Sequence, residues 1–215
     1  MIDPDQVAER LESLRERLRN AGGTDVRVVA VTKAFGFDAV EAAAACGLHD
    51  IGESYAQEAV AKLAGREISP SVHFIGGLQR NKVRKLAGIV DVWQSVDRPE
   101  LADEIASRAP GARVMLQVDI SGEESKGGCP SDEVAPLLEH ASGAGLRVVG
   151  LMGIGPMGDP GLARPGFRRL RSLVDRFDLG ECSLGMTGDL EVAVEEGSTM
   201  IRVGTALFGP RPARR

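Results

Sequence analysis

The chain has 215 residues, 43% of them hydrophobic and 27% charged, with a formal net charge of −5. That is enough chain for one full core. The acidic balance argues against non-specific nucleic-acid binding, and no apolar run reaches the roughly 18 residues that a membrane span needs. Three cysteines, Cys46, Cys129 and Cys182, match no zinc spacing and make a poor disulfide framework. The N-terminus carries no basic segment followed by an apolar stretch. A reducing, cytoplasmic setting is therefore expected.

The first element is a helix over 5–19, with Val7, Leu11, Leu14 and Leu18 on one stripe. Asn20-Ala21-Gly22-Gly23 ends it. A buried-looking strand over 27–33 follows and ends in Lys33. Asp38 is expected to cap a helix over 39–46, which Gly47 stops. A short strand at 49–52, a helix over 55–63 and a third strand at 71–75 come next. A helix near 81–87 leads to strand four at 92–95, and Pro99 opens a helix over 99–108. Strand five is 114–118. A charged, glycine-rich loop over 122–130 then leads to a helix over 131–142, stopped by Gly145. Strand six, 148–152, is followed by a glycine- and proline-rich loop over 153–165. The helix over 167–177 turns Phe167, Leu170, Leu173, Val174 and Phe177 inward. Strand seven lies near 182–184, a short helix covers 190–196, and strand eight covers 199–203.

Eight short strands separated by helical segments suit a closed parallel barrel. The expected fold is α/β, a single-domain (β/α)8 TIM barrel over 1–215. A doubly wound open sheet competes with it, because a pattern of elements does not show closure. No segment reads as a linker between domains. Lys33, Glu53, His73, Lys126, Met152, Ser183 and Gly204 all follow strand ends, and barrel sites collect at that face.

Lys33 is the chemical focus. An amine at a buried strand end loses solvation, which lowers its pKa and leaves more of it as a free nucleophile. Such an amine condenses with aldehydes, and pyridoxal 5'-phosphate is the commonest aldehyde cofactor. The plain alternative is a surface lysine paired with a carboxylate. Two glycine segments, 183–187 and 202–209, are candidate phosphate cradles, with hydroxyls from Ser183, Thr187 and Thr205. They fall after strands seven and eight, where barrel phosphate sites recur; simple turn glycines are the other reading. Arg202 is a charge in an apolar strand and needs a partner. That partner is either a pyridine nitrogen, which an arginine keeps unprotonated, or one of Asp189, Glu195 and Glu196.

These residues sit in recognisable blocks. They are Ala30-Val31-Thr32-Lys33, Ile51-Gly52-Glu53-Ser54-Tyr55-Ala56-Gln57-Glu58 and His73-Phe74-Ile75-Gly76-Gly77-Leu78-Gln79-Arg80-Asn81-Lys82. Glu124-Ser125-Lys126-Gly127-Gly128, Gly150-Leu151-Met152, Ser183-Leu184-Gly185-Met186-Thr187-Gly188-Asp189 and the run from Gly197 to Gly209 follow. In this order the chain closely resembles the YggS/PROSC family, the pyridoxal phosphate homeostasis proteins. The resemblance implies a barrel like the N-terminal domain of bacterial alanine racemase. It implies that Lys33 holds pyridoxal 5'-phosphate as an internal Schiff base and that Arg202 faces the pyridine nitrogen. Ser183, Thr187, Gly204 and Thr205 would hold the phosphate. Asn81 and Lys82 match the family's pair near the cofactor mouth, His73 matches a position on the third strand, and Met152 and Met186 would pack beside the cofactor. The chain departs from the family at Ser54, usually asparagine, and at Gly77, a proline in many members.

The resemblance further implies a protein without robust turnover, which buffers the aldehyde and passes it to apo-enzymes, as a monomer or weak dimer. No metal is implied. A weak amino-acid racemase and a barrel for an ordinary phosphorylated metabolite are the rival readings. Racemisation needs acid-base groups on both substrate faces. The single tyrosine, Tyr55, reads as core or mouth lining rather than as a catalytic acid.

Overall fold

In a computed structural model, residues 1–211 are described. Of the basic tail that reads as a chain end, the part beyond Arg211 lies outside them. Helix α1 (Pro4–Asn20) begins at Asp3, whose side chain accepts the Asp5 amide, with Pro4 in the first turn. Its apolar stripe is buried as the spacing predicts. Eight β/α units follow. They are β1 (Arg27–Val31), α2 (Phe37–Ala45), β2 (Asp50–Glu53), α3 (Ala56–Leu63), β3 (Ser71–Phe74), α4 (Arg80–Leu86), β4 (Val92–Val96), α5 (Pro99–Arg108), β5 (Arg113–Val118) and α6 (Val134–Gly143). Then come β6 (Arg147–Gly153), α7 (Arg164–Arg176), β7 (Glu181–Ser183), α8 (Leu190–Glu195), β8 (Met200–Val203) and the single turn α9 (Thr205–Phe208).

Each strand pairs in parallel with the next, and β8 returns to β1, with Val29 opposite Arg202 and Ala30 opposite Val203. The sheet is a closed barrel, so the open doubly wound arrangement is excluded. Alternation along each strand divides the side chains between two cores. Ala30, Ile51, Phe74, Trp93, Leu116 and Leu151 pack outward among the helices in one continuous cluster. Inside the barrel, Val29, Val92, Met115, Met152 and Met200 form a second, smaller cluster. The remaining buried strand residues include His73, Gln94, Gln117, Ser183 and Arg202. An apolar plug thus shares the barrel interior with a polar layer.

Several boundaries differ from the periodicity, among them the start of α7, at Arg164 within the expected loop. Strand β1 stops at Val31, so Lys33 stands on a turn rather than in the strand. There the Phe35 amide returns to the Thr32 carbonyl at 3.0 Å, and Ala34 takes a left-handed φ of 67°. Asp38 does not cap α2; Gly36 holds that position without a side-chain bond. Asp38 accepts the Ile2 amide at 2.6 Å instead, tying the N-terminus to α2. Helix α6 starts at Val134, not Ser131, because the Glu133 amide closes a turn onto the Pro130 carbonyl.

Candidate functional site

The turn carrying Lys33 is held from below by a buried charge cluster. Lys62, on α3, donates to Glu53 Oε1 at 2.7 Å, to the Thr32 carbonyl at 2.8 Å and to Glu58 Oε1 at 3.0 Å. Glu53 also accepts the Thr32 hydroxyl at 2.7 Å, and Glu58 accepts the Ala34 amide at 2.6 Å. The two residues flanking Lys33 are therefore both pinned, which fixes where its stem leaves the backbone. Burial pushes the Glu53 carboxyl above its usual range, against the opposing pull of Lys62. Burial likewise pushes the Lys33 amine down, and the nearby cations Arg211 and Arg202 add to the fall, against Glu53 and Glu58. A partly desolvated amine among like charges is the state that nucleophilic chemistry requires.

Lys33 lines a cleft of about 240 Å³ at the C-terminal mouth of the barrel. Val31, Ser54, Ile75 and Ile154 supply its apolar and small walls. Met186, Thr187 and Gly188 come from the loop after β7, and Gly204 and Thr205 from the end of β8. Helix α1 braces both loops from behind. Arg17 donates to the Thr187 carbonyl at 3.2 Å while pairing with Glu191, and Arg10 donates to the Leu207 carbonyl at 3.3 Å. Gly204 lies in close approach, since a Cβ there would stand 3.0 Å from the Val31 carbonyl oxygen.

Arg202 reaches the same cleft from inside the barrel and is only 5% exposed. Its Nη1 donates to the Ser183 carbonyl and hydroxyl at 2.8 and 2.7 Å, and its Nη2 to the Gly153 carbonyl at 2.8 Å. None of the three carboxylates considered from sequence is its hydrogen-bond partner. Glu195 and Glu196 pair with Arg164 and Arg168, and Asp189 accepts the Met186 amide. Burial lowers the guanidinium pKa to about 10, with Asp189 acting in the opposite sense from a distance.

Of the residues singled out from sequence, Lys33, Met186, Thr187, Arg202, Gly204 and Thr205 converge on the cleft. Ser183 does not join its lining. It is fully buried, and its hydroxyl bonds to Arg202 and to Gln94, the latter at 2.8 Å. Asn81 is exposed in the first turn of α4 and is absent from the lining, with Lys82 beside it. Met152 belongs to the inner apolar plug, Tyr55 is 44% exposed at the start of α3, and Lys126 donates to Glu123 and the Gly155 carbonyl. Lys62, Glu58, Arg10, Arg17 and Gln94 were missed. Only the Glu58-Lys62 pair carried a local signal, its spacing of four on one helix face.

A larger cleft of about 620 Å³ lies at the opposite, N-terminal end of the barrel, between α1 and the strand starts. Its cations are paired, Arg15 and Arg19 with Glu12 and Arg27 with Glu181. Size alone does not make it the reactive site. No helix among the described residues is long and apolar enough to cross a membrane.

Residues 2–212 match the model of a family described as alanine racemase, N-terminal domain. A pyridoxal phosphate homeostasis protein of Pseudomonas aeruginosa is 40% identical, with 95% of this chain and 96% of that protein covered. The human protein of the same description is 36% identical over 95% of this chain and 84% of its own length. The solved structure of PipY from Synechococcus elongatus with PLP bound superposes with a TM-score of 0.83 at 34% identity, covering 94% of this chain and 100% of that one. With a lysine on a pinned turn, a buried arginine and a glycine-hydroxyl rim at one barrel mouth, the chain belongs to the pyridoxal phosphate homeostasis proteins, within the alanine racemase N-terminal domain family.

Proposed function

We propose that this protein binds pyridoxal 5'-phosphate in the Lys33 cleft and serves in the cytoplasm as a buffer and carrier of that cofactor, without robust turnover of its own. The observation that carries the reading is the meeting of Lys33, Arg202 and the Thr187–Gly188 and Gly204–Thr205 rims in one cleft. The donor set fits the cofactor. Lys33 presents an amine whose pKa burial has lowered. Arg202 presents a guanidinium that has only donors, so it suits a ring nitrogen acting as acceptor. The Thr187 and Thr205 hydroxyls, with the orphan amides at the start of the turn after Gly204, suit a phosphate.

When bound, the cofactor supplies a reactive aldehyde and an electron-accepting ring. Lys33 would hold the aldehyde through its amine, with loss of water. Arg202 would donate to the ring nitrogen and so weaken the ring as an electron sink, which favours storage over turnover. Lys33, Arg202 and Arg211 together attract the phosphate dianion. Met186, 40% exposed, would border the outer edge.

The test is the absorbance spectrum of the protein and of Lys33→Ala, each with and without pyridoxal 5'-phosphate, followed by borohydride reduction and peptide mapping. The parent is expected to show the band of covalently held cofactor and a label at Lys33. The same band in the variant moves the anchor to Lys82 or Lys126. No band in either protein leaves a barrel for a phosphorylated metabolite. Exchange of the alanine α-proton in deuterated water faster than with free cofactor would turn the reading into a racemase. Apo-enzyme reactivation by the loaded protein tests delivery.

A further inference from the structure

We propose that Asp50, His73, Gln94 and Ser183 form a one-way hydrogen-bond chain through the barrel interior that sets the orientation of Arg202. His73, Gln94 and Ser183 are then positioning residues for the ring-nitrogen end of the site. This rests on the cofactor reading given above.

The chain is continuous from the base of the barrel to its mouth. Asp50 Oδ1 lies 2.8 Å from His73 Nε2, and His73 Nδ1 lies 2.6 Å from Gln94 Nε2. Gln94 Oε1 accepts the Ser183 hydroxyl at 2.8 Å, and Ser183 Oγ accepts Arg202 Nη1 at 2.7 Å. His73, Gln94 and Ser183 are at most 1% exposed.

The two ends dictate the direction of every bond between them. A guanidinium has donors only, so Ser183 Oγ must accept from Arg202 and pass its own proton onward. The Gln94 atom facing Ser183 is therefore the carbonyl oxygen, and the amide nitrogen faces His73. His73 Nδ1 must then accept, which leaves its single proton on Nε2, aimed at Asp50. Asp50 is an acceptor held ionised: the His73 contact, Arg27 and Arg113 outweigh the effect of its burial and keep its pKa low. The second amide proton of Gln94 meets the Met200 sulfur at 3.1 Å. No polar atom of Gln94, His73 or Ser183 is left without a partner.

This arrangement differs from simple filling. The same interior holds an apolar plug of valine and methionine, and a polar chain is tolerated beside it only when every member is satisfied. Its upper end is Arg202 Nη1, which also donates to the Ser183 carbonyl at 2.8 Å, while the Gly153 carbonyl accepts from Nη2. The guanidinium plane is thereby determined from two sides.

Two variants separate positioning from packing. Gln94→Leu breaks the chain at its centre and leaves the Ser183 hydroxyl proton and His73 Nδ1 without partners. Gln94→Glu keeps an acceptor for Ser183 and puts a carboxyl in place of the amide donor that faces His73 Nδ1. The nitrogen-15 histidine spectrum of the cofactor-free protein, which has three histidines, reads the protonation of His73 directly. The expected parent signal is one protonated Nε2 and one bare Nδ1 for His73. A parent with its proton on Nδ1 overturns the chain.

The second measurement compares dissociation constants of pyridoxal 5'-phosphate and of its analogue with CH in place of the ring nitrogen. The parent is expected to prefer the natural cofactor by at least about tenfold, the worth of one charge-assisted hydrogen bond. Gln94→Leu and Ser183→Ala should reduce that preference towards unity, and Gln94→Glu should retain it. Equal losses for both ligands, with the preference intact, would mean that the chain merely packs. A parent that binds neither ligand overturns the cofactor reading and the positioning role with it, whatever the histidine spectrum shows.

Discussion

Replacing Lys62 by methionine removes the cation at the centre of the cluster under Lys33. The volume is nearly kept, so the loss is electrostatic. Lys62 has 5% of its side chain exposed and Glu53 none, so the pair is dry. The variant leaves the Glu53 carboxyl with the Thr32 hydroxyl alone and the Thr32 carbonyl without its ammonium donor. Glu53 Oε2 has no partner even in the parent. Removing one partner of a buried pair costs about 3–5 kcal/mol. With a urea slope of roughly 2–3 kcal/mol per molar for a domain of this size, the unfolding midpoint should fall by about 1–2 M. The loss depends on pH. Burial already raises Glu53 above its ordinary value of 4.5, and without Lys62 it rises further. The folded state then holds a proton that the unfolded chain releases, so stability falls as pH rises through the raised value. The deficit should be larger near about pH 8 than near about pH 5. Glu53→Leu added to Lys62→Met should recover much of it, because the uncompensated charge is gone. A single variant within about 1 kcal/mol of the parent, the range of exposed pairs, would refute the buried-pair argument, as would a double variant no better than the single.

Other outcomes follow from the same geometry. The rate of cofactor capture should rise with pH and level off below the ordinary lysine value of 10.5, since burial and two arginines depress Lys33; stopped-flow absorbance that still climbs at that pH would contradict it. Gly204→Val should weaken binding of the phosphorylated cofactor more than that of pyridoxal, because a side chain there meets the Val31 carbonyl oxygen and fills the rim; equal weakening of both ligands in titrations would disagree. Gly185→Ala should cost about 1–3 kcal/mol in denaturant unfolding, as φ is +90° and the new Cβ would stand 2.6 Å from Ala193 Cβ. Arg17→Ala should change stability by less than about 1 kcal/mol, its ion pair with Glu191 being half exposed. The same variant should nevertheless weaken phosphate binding, by loosening the Thr187 loop. An unchanged dissociation constant would remove the bracing role of α1.

The sequence by itself determined the run of elements. Alternating strand residues, the α1 stripe and helix-ending glycines each record the burial or backbone conformation of a short stretch, and such local patterns survive without knowledge of the rest. Strand-end position, the two glycine segments and a charge in an apolar strand also single out Lys33, Thr187, Arg202, Gly204 and Thr205. What only the tertiary structure decided is what those residues touch. Closure of β8 onto β1 brings Gln94 and Met200, 106 residues apart, into contact and puts Arg202 against Gly153. It sets Ser183 between Gln94 and Arg202 inside the barrel, and it gives Arg202 carbonyls and a hydroxyl instead of a carboxylate. Spacing along a chain specifies which face a side chain takes within its own strand; which groups then satisfy a buried charge depends on strands that meet only when the barrel closes.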